Sequence, residues 1–543
     1  MGDPPLNPSP EQMLDLLRKL ENRIARIESR LELESSEARE SESVPAIAAE
    51  DDEELELELG QNWFAKAGIV GLALGIAFLL TLPYANLPSF LPSLLGYVLV
   101  SGIFFLSFYW KESFQQVSRY LLGGGLLLLY FTTLRLFYFT PAPALTNKTL
   151  ELALLLLVVL GNLAVAYRRQ SIYLVGFNLT LGFLTALIGG QPLFVFVVLT
   201  LLASTCSYFA WRFQSNALLA FGAILTFVTH LLWSANNPFF SGELQFGLAP
   251  EIHLGFILIY AALFAAAMAV RKDRTKENAG VIFNSVLNAF IGFGVFSLST
   301  LASPDFHIVL WQSGASVLFL SFAIIFWIRE KSVYSTFAYA MIGYAALSAA
   351  IVAQFPMPDF FVWLCWQSLL VVSTAVWFRS RFIVVANFVI YLIIFIAFLS
   401  SAKTVTSVSV SFGIVALLSA RVLNWQRDKL ALRTELMRNA YLASALLFLP
   451  YALYNSVPPH LVSVSWLVLA ALYYCASRIL KSRKYRWMAL LTMSLTILYV
   501  FIVDLTTVDP VVRIVSFLAV GSALLGISMI YSRKKRKMVV SKQ

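Results

Sequence analysis

The chain has 543 residues, of which 59% are hydrophobic and 13% charged, and a mean hydropathy of +0.76. Soluble globular proteins carry about 25% charged residues, so a soluble fold is excluded. The net charge of +10 conceals a split, because residues 1–61 hold 17 acids against 6 bases and the remainder 34 bases against 13 acids. The basic balance therefore belongs to a membrane domain, and nucleic-acid binding is not implied.

In chain order, residues 1–9 are Pro-rich and are expected to be disordered. Ser9-Pro10-Glu11-Gln12 then reads as an N-cap, a proline at the first helical position and a capping-box glutamine. Met13, Leu17, Leu20, Ile24, Ile27 and Leu31 follow at alternating spacings of four and three, the a/d seam of about three heptads. Residues 10–34 are thus a short amphipathic or coiled-coil helix. Two readings stay open: self-association through this seam, or a lone helix lying on its own membrane domain. Residues 35–61 form a Glu- and Ser-rich acidic linker.

From residue 62 apolar runs recur at about 20 residues, the length a helix needs to cross the hydrocarbon core. They predict 18 spans: 62–83, 87–110, 117–138, 149–167, 171–188, 192–211, 215–234, 250–270, 279–301, 306–328, 335–353, 359–378, 382–400, 404–424, 436–454, 460–477, 486–504 and 510–531. Arg- and Lys-rich gaps such as 168–170, 329–333, 379–381 and 478–486 alternate with gaps such as 189–191, 302–305 and 354–359, which carry proline and almost no positive charge. Basic loops stay in the cytoplasm. Both termini, including the basic tail 532–543, are therefore expected there. All 15 prolines after residue 61 fall in the other set of gaps or near that end of a span. Pro250-Glu251-Ile252-His253, Pro304-Asp305-Phe306-His307 and Pro358-Asp359-Phe360-Phe361 recur 54 residues apart, so the unit is read as a hairpin, out and back, repeated nine times. The expected fold is all-α: a polytopic helical membrane domain over 62–531 in which consecutive helices are antiparallel neighbours.

Three stretches carry a resemblance. They are Leu59-Gly60-Gln61-Asn62-Trp63-Phe64-Ala65-Lys66-Ala67-Gly68 with Gly71, Gly75 and Phe78; Leu122-Gly123-Gly124-Gly125-Leu126 with Leu129-Tyr130; and Arg169-Gln170-Ser171 with Gly176 and Gly182-Phe183-Leu184-Thr185. Over residues 55–235 the chain resembles the bacterial "predicted membrane proteins" of unknown function that pair an N-terminal coiled coil with many spans. In that family the last motif usually continues into proline; here Ala186 follows. The resemblance implies a multi-pass protein of the bacterial inner membrane and brings no activity with it.

Polar groups within spans are few. Arg135 and Glu151 flank one proline-side gap and are read as a structural ion pair between neighbouring helices. Asn162, Asn178, Asn284, Asn288 and Asn387 are read as interhelical hydrogen-bonding amides, with a polar substrate path as the alternative. Gly68, Gly71 and Gly75 lie on one helical face and are read as packing residues. Gly123, Gly124 and Gly125 are read the same way, or as a mid-membrane break. The histidines, His230, His253, His307 and His460, all lie at proline-side ends, near Glu243, Glu251, Asp305 and Asp359. The repeat accounts for Glu251-x-His253 and Asp305-x-His307 without a metal. Cys206, Cys365 and Cys475 fall in apolar runs with no disulfide or metal spacing. No catalytic, cofactor or metal site is read.

The reading is a membrane protein of structural or assembly type and not an enzyme, with a transporter or lipid-handling protein as the alternative. Its partner is the lipid bilayer, joined by self-association through residues 10–34; any small-molecule substrate is left unassigned. Reporter fusions after Arg169, Lys276, Lys331 and Lys484 should report cytoplasm, and fusions at Asn147, Asn237, Pro304 and Pro458 the opposite side. One site reporting the wrong side breaks the 18-span topology.

Overall fold

The computed structural model describes residues 88, 90–138, 143–235, 251–270, 278–301, 307–401, 406–425 and 434–504, with isolated helical positions within 68–76 and 514–522. The N-terminal helix, the acidic linker, nearly all of spans 62–83 and 510–531, and the basic tail lie outside these residues. Among the described residues the fold is all-α, with 16 helices long and apolar enough to cross a membrane. They are α1 Leu91–Tyr109, α2 Gln115–Arg135, α3 Lys148–Arg168, α4 Ile172–Gly189, α5 Pro192–Phe213, α6 Asn216–Ala235, α7 Ile252–Ala269 and α8 Ala279–Leu301. Next come α9 Ile308–Glu330, α10 Val333–Gln354, α11 Phe360–Trp377, α12 Arg381–Ser400, α13 Thr406–Trp425, α14 Thr434–Ser456, α15 Val462–Ile479 and α16 Arg483–Tyr499. Each matches one predicted span to within about a turn and a half. Even α14, with Pro450 in its interior, runs continuously.

The chain divides into two units, Met1–Val158 and Val159–Gln543. In the first, α1 packs on α2 through Val100, Ile103, Leu121 and Leu128. Hydroxyls clasp this pair at both ends. Ser107 Oγ donates to the Ser118 carbonyl at 2.8 Å and Ser118 Oγ to the Ser107 carbonyl at 2.6 Å. Tyr97 and Thr133 share a hydrogen bond of 3.0 Å. The triple glycine does not break α2. Gly125 instead marks a close approach, since a Cβ there would lie 2.7 Å from Phe104 and 3.2 Å from Ile103; Gly123 and Gly124 are half-buried beside it. Gly68, Gly71 and Gly75 correct the sequence reading. All three are exposed, and a Cβ on any of them meets nothing within 4 Å among the described residues. It is Ile76, about 100° around the helix from Gly75, that packs on the α1–α2 core.

In the second unit helices of equal parity stack. α5, α7 and α9 form one row; α4, α6, α8, α10 and α12 form another; α11 packs on α13 and α14 on α16. Rows are joined by hairpins, and here the structure shifts the phase of the repeat. The closest pairs, α9–α10, α13–α14, α15–α16 and α11–α12, are connected by the basic gaps. Among the pairs connected by proline gaps, α10–α11 and α14–α15 pack less closely, whereas α4–α5 packs as closely as α11–α12.

Five of the basic turns share one local geometry. In each the helix ends on a residue in the left-handed region: Gln170, φ 49°; Gln214, 53°; Lys331, 51°; Arg379, 50°; and Lys481, 47°. The next residue is always serine: Ser171, Ser215, Ser332, Ser380 and Ser482. Backbone N–H groups reach back five residues, from Ser171 to Ala166 at 3.3 Å, Ser215 to Ala210 at 3.0 Å, Ser380 to Ala375 at 3.0 Å and Ser482 to Ser477 at 3.2 Å, closing the last turn as a Schellman bond does. In four turns the serine hydroxyl caps the next helix, accepting from Leu174, Leu218, Ser335 and Ile383 at 3.4, 3.2, 3.2 and 3.5 Å. Two residues thus end one helix and start the next. A side chain in this conformation costs about 1–2 kcal/mol, and three of the five side chains carry the positive charge that orients the loop.

Small residues let the paired backbones meet. On α10, Gly343 faces Leu320 of α9, where a Cβ would lie 2.7 Å from the leucine Cγ and 3.1 Å from its backbone nitrogen. Tyr339 stacks on Phe326 at 5.2 Å and 11° and on Phe319 at 6.3 Å and 22°. Gly314 of α9 is exposed and meets nothing within 4 Å. Gly343→Ala should therefore destabilise by about 1–3 kcal/mol, whereas Gly314→Ala should be neutral or stabilising by up to about 1 kcal/mol. Reversible unfolding in mixed micelles compares the two, and equal effects would refute the packing assignment.

Candidate functional site

The intramembrane polar groups converge on α8, α10, α12 and α14. Asn288, 1% exposed, lies on α8. Its Nδ2 donates to the Ala261 carbonyl of α7 at 2.9 Å and to the Tyr339 hydroxyl of α10 at 3.0 Å. Asn387 on α12 repeats the arrangement. Its Nδ2 donates to Ser368 Oγ of α11 at 2.8 Å and to the Tyr441 hydroxyl of α14 at 3.1 Å. The Asn-to-Tyr separations are 51 and 54 residues, one repeat in each case. A single amide thus ties its own helix to the odd-numbered helix before it and the even-numbered helix after it. Asn284 donates to the Asn216 carbonyl at the start of α6, at 2.9 Å. Asn178 bonds within its own helix, to Leu174, at 2.8 Å. Asn162 is buried on α3.

Between the two asparagine ties, α10, α11 and α12 line a partly open cavity of about 280 Å³. Tyr344, Ser348, Gln367, Ser368, Asn387 and Tyr391 supply its polar wall, and Met341, Leu364, Val371, Ile390 and Ile394 its apolar one. The polar wall is bonded to itself and its helices. Gln367 Nε2 donates to the Tyr344 carbonyl at 2.8 Å, Ser348 Oγ donates to Gln367 Oε1 at 3.1 Å, and the Tyr344 hydroxyl is bonded to Thr374. Tyr391 donates to the Phe412 carbonyl of α13. No charged side chain lines this cavity. Its size is close to the lower end of ligand pockets, and its chemistry suits a small neutral or apolar guest.

The remaining candidates lie elsewhere. Arg135 and Glu151 are each 1% exposed, but neither oxygen of the Glu151 carboxylate has a hydrogen-bond partner among the described residues, so the expected bond between them is not made.

At the proline ends of α6, α7 and α9 the histidines form two separate pairs. His230 Nε2 and His253 Nδ1 are 3.3 Å apart, with rings stacked at 5.6 Å and Phe196 stacked on His230 at 5.3 Å. Glu251, the residue before α7, accepts from His307 Nδ1 at 2.9 Å and from Trp311 Nε1 at 3.0 Å. The Trp311 bond first and the His307 bond second hold its carboxyl below the ordinary carboxylate range. This tie joins α7 to α9 across one repeat. Sequence reading grouped Glu251 with His253, two residues on; the partner is the equivalent histidine of the next repeat. Among the described residues no three His, Cys, Asp or Glu side chains are grouped to hold a metal.

Residues 450–534 match the model of a family described as "Predicted membrane protein (DUF2339)". The match covers the end of α14, α15, α16 and the stretch beyond, whereas the motif resemblance lies in residues 55–235. No curated protein and no solved structure matches the chain.

If the asparagine ties hold the rows together, Asn288→Leu and Tyr339→Phe should each destabilise. Their double-mutant cycle should give a coupling of about 0.6 kcal/mol, the average for hydrogen bonds between membrane helices. Asn387→Leu with Tyr441→Phe should behave alike. Strict additivity in both cycles would remove the ties.

Proposed function

We propose that the chain is a non-enzymatic structural protein of the bacterial inner membrane, a fixed row of helical hairpins with its basic turns and both termini in the cytoplasm. The observation that carries this reading is the repeated asparagine tie. Asn288 and Asn387 direct their amide donors into neighbouring helices of the same and the next repeat, and the arrangement fastens helices together. Transporters that alternate between two faces place discontinuous helices and charged groups around a mid-depth path. Here α2 is continuous through its glycines, and uncharged side chains line the cavity. Residues 10–34, outside the described residues, would supply self-association.

A second reading, a lipid-handling or transport protein with a polar path, is favoured by the cavity itself, which Gln367, Ser368 and Asn387 help to line between hairpins. The readings differ in motion. Spin labels carried by noncanonical amino acids at the exposed positions Phe283 and Leu436, at the basic ends of α8 and α14, and at Leu301 and Tyr454, at their other ends, report both faces. A structural array gives one narrow distance distribution for each pair in lipid nanodiscs. Two populations that exchange in opposite sense at the two ends would overturn the structural reading in favour of alternating access.

A further inference from the structure

Three consecutive odd-numbered helices carry a tryptophan at or near the same end. Trp327 lies near the end of α9, Trp377 is the last residue of α11 and Trp425 the last of α13. Together with Lys331 and Arg379, from the left-handed turns after α9 and α11, they line a groove of about 680 Å³ at the basic ends. Trp377 and Trp425 are exposed, at 51% and 76%, as are Lys331 and Arg379. Neither cation forms an ion pair among the described residues, and no acidic side chain lines the groove.

Three features of the groove belong together. Indole rings at helix ends sit at headgroup depth in a bilayer. Helix C-termini carry partial negative charge, so an anion is held there only if side-chain cations outweigh the helix ends, and two uncompensated ones are present. Their turns place both cations in the lining of the groove beside the indoles. The apolar wall continues from Val376 and Val422 to Ile328, which is 64% exposed and offers an acyl chain a surface leading into the membrane.

We infer that this groove binds the phosphate headgroup of an anionic phospholipid, with Lys331 and Arg379 on the phosphate and Trp327, Trp377 and Trp425 against the glycerol and upper acyl region. The site is separate from the cavity between α10 and α12 and does not depend on the structural reading proposed above.

The test uses the full chain in nanodiscs of phosphatidylcholine and phosphatidylglycerol, with native mass spectrometry counting the lipid retained after mild delipidation. Wild type should retain phosphatidylglycerol in preference to phosphatidylcholine. Lys331→Gln/Arg379→Gln should lower that retention by about thirtyfold, on the usual contribution of two basic residues at a membrane surface. Lys331→Arg/Arg379→Lys should restore most of it. Arg169→Gln/Arg212→Gln, which removes two cations from other basic turns, should leave it within about twofold. Equal loss in this control would mean diffuse surface charge and no site; equal retention by wild type and the first variant would also overturn the proposal. A benzoylphenylalanine in place of Trp377 keeps the test independent of whether the charge variants fold. It should crosslink to phosphatidylglycerol well above that lipid's share of the nanodisc. Crosslinking in proportion to the lipid mixture would overturn the site.

Discussion

Inside a bilayer no water is present to accept a backbone N–H or donate to a carbonyl, so each segment has to satisfy its own main chain before it meets any other. Helices do this everywhere but at their ends. The ends therefore govern how this fold can be connected, and the basic turns resolve them in two residues, one left-handed and one serine. The reach-back bonds of Ser171, Ser215, Ser380 and Ser482 satisfy carbonyls of the helix that is ending, and four serine hydroxyls satisfy amides of the helix that is beginning. Such short turns allow the close pairing of α9 with α10 and of α15 with α16.

Once helices are formed, lipid gives them little hydrophobic reason to associate. Close approach and polar fastening take over. Gly343 and Gly125 let backbones approach, and the rings of Phe319, Phe326 and Tyr339 fill the space alongside. The same Tyr339 accepts from Asn288 on its other side. One residue thus serves the hairpin through its ring and the row through its hydroxyl, and Tyr391 is used similarly, packing on Phe412 and bonding to its carbonyl.

The helices were legible in the sequence, and direction around each helix was not. Apolar length and the alternation of bases with prolines placed all 16 described helices, because charge and proline report which end of a helix faces water. Azimuth is another matter. In a helix surrounded by lipid and similar helices, apolar residues point everywhere, so Gly68, Gly71 and Gly75 could be assigned to one face but not to a partner. The Arg135–Glu151 pairing assumed that helices consecutive in sequence bond to each other through their polar groups, and the Glu151 carboxylate has no hydrogen-bond partner among the described residues. Asn284, Asn288 and Asn387 donate between helices, and the tyrosine acceptors of Asn288 and Asn387, one repeat away, carried no mark of their own in the sequence. The serine after each left-handed residue was visible as Gln-Ser, Lys-Ser or Arg-Ser at the start of a span, and its recurrence was the missed signal.

The two-residue turn has a consequence for how such a chain changes length. A closed pair of helices returns the polypeptide to the side from which it started. A whole pair can therefore be duplicated or lost while every later segment keeps its orientation. Removing a single helix would reverse all that follow, and the Lys331, Arg379 and Lys481 turns would each then have to lie on the side their charge opposes. Any change in helix number that keeps the later segments in place must therefore preserve parity, and the unit of such a change is the closed pair around its turn.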